Sequence, residues 1–228
     1  MAKFELAVQP GKKRYASIEA GFQDWGYDWD AGQWTGCKVG KGNPAGTNMS
    51  ISSCLLSGVR GYDVTKQEMQ DLTKEEALSI YKTKFWDKIG GDKLKSQRIT
   101  EFLFNMGSSA GGNAYKTMQR ALNKLGENLS VDGAIGQLSQ AAINRQVEKG
   151  KEAELYNTFR SEMLAYYKRL NEPSGFYEKR VKSMDKWFPP MESNEVKSKM
   201  SWVGYAFIGL AVIALSIGSY WLYSKTRK

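Results

Sequence analysis

From Met200 to Ser224 the chain carries no charged residue, a run of about 25 residues that exceeds the roughly 20 needed to cross a bilayer as a helix. Trp202 and Tyr205 stand near one end, and Tyr220, Trp221 and Tyr223 near the other. Rings with an apolar body and a polar tip favour those two depths of a membrane. The run predicts a single transmembrane helix over 200–224, seated in a lipid bilayer, with a basic tail over 225–228. Lys197 and Lys199 flank it on one side and Lys225, Arg227 and Lys228 on the other, so the charge bias leaves its orientation open. Upstream, Pro189-Pro190 and the polar stretch after it read as a linker over 189–199, which ends the folded part near Phe188. The start, MAKFELAVQP, lacks the apolar core of a secretory signal.

The first 188 residues read as helical nearly throughout, with little strand-like alternation. Thr73 and Glu76 form a capping box pattern, opening a helix in which Ala77, Ile80, Tyr81 and the Lys84 stem share a face as far as about Trp86. Ile99, Phe102, Leu103 and Met106 repeat at helical spacing, as do Tyr115, Met118, Leu122 and Leu125 after the Gly111-Gly112 break. Tyr156, Phe159, Met163, Tyr166 and Leu170 predict a long amphipathic helix stopped by Pro173. Gly21 to Gly61 differs: nine glycines and no long period, which reads as loops with at most a short hairpin. A loop region of that length in a small domain usually serves function.

The chain has no histidine and two cysteines. Ser-His-Asp and Cys-His couples, HExxH zinc sites and four-cysteine zinc sites are therefore excluded, and acid/base chemistry falls first to carboxylates, whose pKa burial can raise. Asp24, Asp28 and Asp30 lack the ligand order, central glycine and terminal glutamate of a calcium loop, so neither metal nor cofactor is expected. Cys37 and Cys54 bracket the Gly-rich loop; a disulfide between them is open, and with no secretory signal the simpler expectation is a pair of reduced, part-buried thiols. The net charge is +9, of which +6 belongs to the residues before the linker. An anionic partner is expected; nucleic acid is not, because the basic residues are dispersed and no nucleic-acid-binding motif accompanies them.

Glu19 closes a short apolar stretch and directly precedes Ala20-Gly21. It is expected to project from a helix C-terminus, where most such residues are solvated helix-end charges; one partly desolvated and holding its proton would meet what a general acid for glycoside cleavage requires. Asp24, Asp28 and Asp30 follow, interleaved with Trp25, Tyr27, Trp29 and Trp34, whose ring faces suit packing against sugars.

These residues support a resemblance. Glu19-Ala20-Gly21-Phe22 resembles the Glu-Gly-Gly-Tyr signature of glycoside hydrolase family 108, the phage-type N-acetylmuramidases, and Gly46 to Ile51 resembles that family's Gly-Gly-x-Thr-Asn-x-Gly-Ile segment. Asp63-Val64, Leu72 to Ala77, Ile80-Tyr81 and Phe85-Trp86 are similar to its next landmarks, in order. Glu101 to Gly107 resembles its Asp-x3-Asn-x-Gly helix, with Glu in place of the usual Asp. Met118 to Asn123 and Val131 to Gly136 are similar to the peptidoglycan-binding region found in the same family, and Arg180-Val181 closes the pattern. Two departures stand out: Pro10-Gly11 interrupts what is usually one continuous first helix, and the interval from Glu19 to Thr47 is longer than usual.

The resemblance implies a mostly α, lysozyme-like helical domain with a loop-rich active-site region, and the uncharged run adds the single transmembrane helix after it. Residues 1–110 are read as the catalytic region and 111–188 as a peptidoglycan-binding-type region packed on it. The implied substrate is bacterial peptidoglycan, cut at the β-1,4 bond between N-acetylmuramic acid and N-acetylglucosamine. Glu19 is then the acid, with Thr47 or an aspartate of the loop, Asp28 by choice, positioning water or steadying positive charge. Tyr27, Trp29, Asn48 and Asn105 are candidate substrate contacts; Asn105, inside a helix, could equally bond a backbone group. Two rivals are a lytic transglycosylase, which needs one acid only, and a non-catalytic tethering protein that binds the wall. An anchored enzyme of this kind fits either the host inner membrane before phage lysis or the membrane of a lipid-containing virion.

Overall fold

Residues 1–23, 45–170 and 175–192 are described by a computed structural model. Among them are ten α-helices and one small three-stranded sheet. The organising element is α6 (Gln97–Ala110), started by Ser96, whose hydroxyl accepts from the Ile99 amide at 3.0 Å, and buried on nearly every side from Ile99 to Gly107. A helix without a polar face has to sit in the middle of its domain. On one side Phe104 meets Trp86, Phe4 and Tyr81 edge-on, at 5.7, 6.0 and 6.2 Å between ring centroids. On the other, Phe102 packs against Phe159 and Phe188 at 4.7 Å each and against Tyr156 at 5.2 Å.

The helices α7 (Gly112–Lys124), α8 (Gln137–Glu148), α9 (Glu152–Arg169) and α10 (Phe176–Trp187) complete the second side. Gly107 permits the close approach of α7 to α6: a Cβ there would lie 2.6 Å from the Tyr115 hydroxyl. Met1–Pro189 forms one compact unit. Tyr156, Phe159 and Met163 of α9 are buried as expected, but Tyr167 rather than Tyr166 continues that face; Pro173 lies outside the described residues.

The first side is built from α1 (Phe4–Ala7), α2 (Lys13–Glu19), α3 (Ser53–Arg60), α4 (Lys66–Gln70) and α5 (Lys74–Tyr81). The break between α1 and α2 falls at Pro10-Gly11, where proline lacks a donor and Gly11 takes φ 84°. Thr73 caps α5 through the Glu76 amide at 3.1 Å, but the box does not close. The Glu76 carboxylate is taken by Arg60 at 2.9 Å. A full capping box stands instead at the start of α4, between Thr65 and Glu68, and these bonds pull the Glu68 carboxyl down to about 2. Past Tyr81 the helix widens into a π turn, Lys82–Trp86. The extra residue per turn rotates the register, so Trp86 enters the core and Lys84 is left in solvent.

Two further readings are corrected. The region expected to be loop contains α3, whose inward positions Ser53, Leu56 and Ser57 are mostly small and polar and so leave no apolar stripe to read. Cys54 is disulfide-bonded rather than a reduced thiol; the chain's other cysteine, Cys37, lies outside the described residues. The span expected over 200–224 also lies outside them. Among the described residues no helix is long and apolar enough to cross a membrane.

Candidate functional site

Glu19 is the last residue of α2. After it the chain turns through Gly21, at φ 62°, directly into strand β1 (Phe22–Gln23), which pairs antiparallel with β2 (Thr47–Asn48); β2 pairs in turn with β3 (Ile51–Ser52). The register sets Gln23 opposite Thr47 and Phe22 opposite Asn48. The hairpin that carries Thr47 is therefore fastened to the segment that follows Glu19. The Met49 amide donates to the Gly21 carbonyl at 3.1 Å and closes the join.

The hairpin's two-residue loop is under strain. Met49 and Ser50 both take positive φ, 51° and 61°, the geometry that two-residue hairpins require and that Asn and Gly normally supply. For residues with a side chain this costs about 1 kcal/mol or more each, and the surroundings hold it in place. The Tyr81 hydroxyl donates to the Met49 carbonyl at 2.6 Å. The Asn48 amide group donates to the Met69 carbonyl at 2.7 Å at the end of α4.

Behind this join lies a buried cation, Arg14, only 5% exposed. Its guanidinium donates to the Tyr81 hydroxyl at 3.0 Å, to Asn105 Oδ1 at 3.3 Å and to the Ser108 hydroxyl, and it lies 4.4 Å over the Tyr81 ring. Burial pushes the Tyr81 phenol above its ordinary value, so it stays protonated and able to donate. One chain of contacts runs from α6 through Arg14 and Tyr81 to the Met49 carbonyl, fixing α2 and the hairpin to the same buried anchor. Nothing in the spacing of Arg14 announced it; the one available signal is that Arg14 and Ile18, four apart and both buried, define the inner face of α2.

The expected site residues fare differently. The Glu19 side chain is 54% exposed, with the Lys74 ammonium 3.5 Å from Oε1; the desolvated setting expected for it is not what the free protein presents. Thr47 is part-buried on β2. Asn48 and Asn105, expected at the substrate, are 3% and 2% exposed and turned inward: Asn48 ties the hairpin to α4, while Asn105 bonds the Glu101 carbonyl at 2.8 Å and supports Arg14. Asn105 thus takes the backbone-bonding option. Asp28, Tyr27 and Trp29 lie outside the described residues, as do Asp24, Asp30, Trp25 and Trp34.

In the second half, Gln119 is a hub. Its amide nitrogen donates to Asp132 Oδ1 at 2.7 Å and to the Ala134 carbonyl at 3.0 Å, and its oxygen accepts from the Gly133 amide at 2.9 Å. These bonds shape the Val131–Gly136 loop, beside a cavity of about 350 Å³ that the exposed Leu138 also borders.

Residues 19–111 match the family model for glycosyl hydrolase 108, and residues 113–188 match the one for a predicted peptidoglycan domain. Among solved structures, that of Brucella abortus SagA has 24% identity to this chain and a TM-score of 0.60, covering 80% of this chain and 90% of its own. This likeness shows a common fold. A comparison with curated proteins finds no match. The two family matches together support a glycoside hydrolase that acts on peptidoglycan.

Proposed function

We propose, from a glycosyl hydrolase 108 region continued by a peptidoglycan domain, that the protein is a muramidase cutting the β-1,4 bond from N-acetylmuramic acid to N-acetylglucosamine. The observation that carries this reading is the join between the end of α2 and the strained hairpin, which fastens the segment that follows Glu19 to the strand bearing Thr47. Glu19 donates a proton to the leaving glycosidic oxygen. Thr47, or Asp28 from the segment between Glu19 and Thr47, orients the attacking water or steadies the oxocarbenium-like charge. Because Glu19 is exposed in the free protein, the bound glycan itself has to exclude water around the acid. The uncharged run 200–224 would hold the enzyme at a bilayer, and the excess of basic residues suits an anionic wall.

A turbidity and product assay on purified peptidoglycan tests this. Wild-type protein should clear it and leave muramic-acid reducing ends, and Glu19→Gln should not clear it while melting at the same temperature. Normal clearing by that variant would remove Glu19 from the reaction, and 1,6-anhydro ends in the products would make the enzyme a lytic transglycosylase. Binding to intact sacculi without clearing by either protein would point to a tether.

A further inference from the structure

A cavity of about 410 Å³ opens where the turn between α1 and α2 meets α6 and the end of α10. Its charged lining is Lys12, Lys13, Arg98 and Lys186 against a single carboxylate, Glu101. That carboxylate is already engaged: Oε2 accepts from Lys12 at 2.9 Å and Oε1 from the Gln97 amide at 2.8 Å. The other three cations meet neutral partners. Lys13 lies 6.0 Å from the Phe188 ring, Lys186 lies 4.7 Å over Trp187, and Arg98 lies 5.3 Å over Tyr156 and donates to the Pro189 carbonyl at 3.4 Å. Among the described residues none of the three forms an ion pair. Burial, with Arg14 and Arg180 nearby, pushes the Lys13 ammonium down to about 7, the mark of a cationic site that lacks its counter-charge.

We propose that this cavity receives the carboxylate end of a peptidoglycan stem peptide, with Lys13, Arg98 and Lys186 as its anion-binding groups. The inference rests on the muramidase reading for the identity of the ligand. Its volume lies within the range of small-ligand sites, and its excess of positive charge selects an anion. The cavity lies at the first turn of α2 and Glu19 at the last. A seven-residue helix is about 10 Å long, and three extended peptide residues span about the same distance. A stem peptide on the muramic acid at the scissile bond is thus long enough to reach from one end of α2 to the other. Enzyme specificity would then depend on the peptide as well as on the glycan.

The test uses the full chain in a neutral detergent. Binding of a free stem peptide is measured by calorimetry for the wild type, Lys13→Met and Lys186→Ala, beside the same peptide as its C-terminal amide. The wild type should bind the acid at least about tenfold more tightly than the amide, and each variant should lose about tenfold for the acid alone, about 1.4 kcal/mol. In turnover, Lys13→Met should raise KM for peptide-bearing glycan and leave both kcat and KM on peptide-free glycan unchanged. Equal binding of acid and amide, or unchanged KM in both variants, would overturn the proposal. Lys186 is exposed, so its variant reports on the cavity independently of any change in the burial of Lys13. If the muramidase reading fails, none of these proteins leaves muramic-acid reducing ends; if only this inference fails, such ends still form without discrimination between acid and amide.

Discussion

Replacing Tyr81 by Phe deletes a single oxygen and leaves the ring that packs on Phe104 and under Arg14 in place. The lost hydroxyl makes two bonds, donating to the Met49 carbonyl at 2.6 Å and accepting from Arg14 at 3.0 Å. A neutral bond of this kind contributes about 1 kcal/mol and one to a charged partner about 1.5–3 kcal/mol. Arg14 keeps Asn105 and Ser108, so the lower end applies, and a loss of about 2–3 kcal/mol is expected. For a domain of this size that lowers the melting temperature by about 4–12 °C. The second consequence is local. Without its acceptor bond the left-handed Met49-Ser50 turn loses the contact that offsets its strain, the hairpin shifts, and kcat on peptidoglycan falls further than a simple loss of stability explains. Calorimetry and turnover well below the melting range measure the two effects separately. A melting shift under about 2 °C together with unchanged kcat would refute the role given to the Arg14–Tyr81–Met49 chain.

Other outcomes follow from the same geometry. Gly107→Ala drives a methyl group into Tyr115 and should cost about 1–3 kcal/mol by overpacking, read as a lower urea midpoint with an unchanged slope; an unaltered midpoint would mean that α7 moves aside freely. The Lys13 ammonium is lowered from 10.5 to about 7 in the folded protein, so between those values the unfolded chain holds the extra proton and folding stability gains with rising pH, by at most about 1.4 kcal/mol per pH unit. Below pH 7 the full penalty applies. Lys13→Met should therefore be more stable than wild type at pH 6, with the advantage shrinking by pH 9, as urea midpoints would show; an equal difference at both would remove Lys13 as the source. Glu68 is held down to about 2 mainly by the Thr65 amide and Tyr62. Its contribution is present above the ordinary carboxylate range and is lost as pH falls toward 2, so Glu68→Gln should flatten the acid limb of the stability curve.

The helices easiest to read from the sequence were those with a continuous apolar stripe, α6, α7 and α9, because burial of such a stripe leaves a 3.6-residue period in the residues themselves. α3 and α8 carry buried Ser53, Ser57, Ser139 and Gln146 among their inward positions, and a stripe interrupted by buried polar groups does not look like one. The Lys84 error has another origin: periodicity assumes a constant turn, and the π turn at Lys82–Trp86 changes it. At the site, motif order singled out Glu19 and Thr47, but it did not distinguish an asparagine facing substrate from one facing the core. Asn48 and Asn105 belong to the second kind because carbonyls and a guanidinium lie within reach of them in the fold, over sequence separations that local pattern cannot see. Arg14 was invisible for a related reason. A buried arginine is intelligible only once its hydroxyl, amide and ring partners, 67 to 94 residues away, are assembled around it.

The two faces of α6 belong to different halves of the molecule: Phe104 to rings from the first, Phe102 to Tyr156, Phe159 and Phe188 from the second. The stretch matching the hydrolase and the stretch matching the peptidoglycan domain therefore do not behave as beads on a string. Cutting the chain at Gly111-Gly112 would strip the hydrolase portion of half the lining of its own core, so neither portion can be grafted onto another protein without redesigning α6, and the pair should melt, and diversify, as one object.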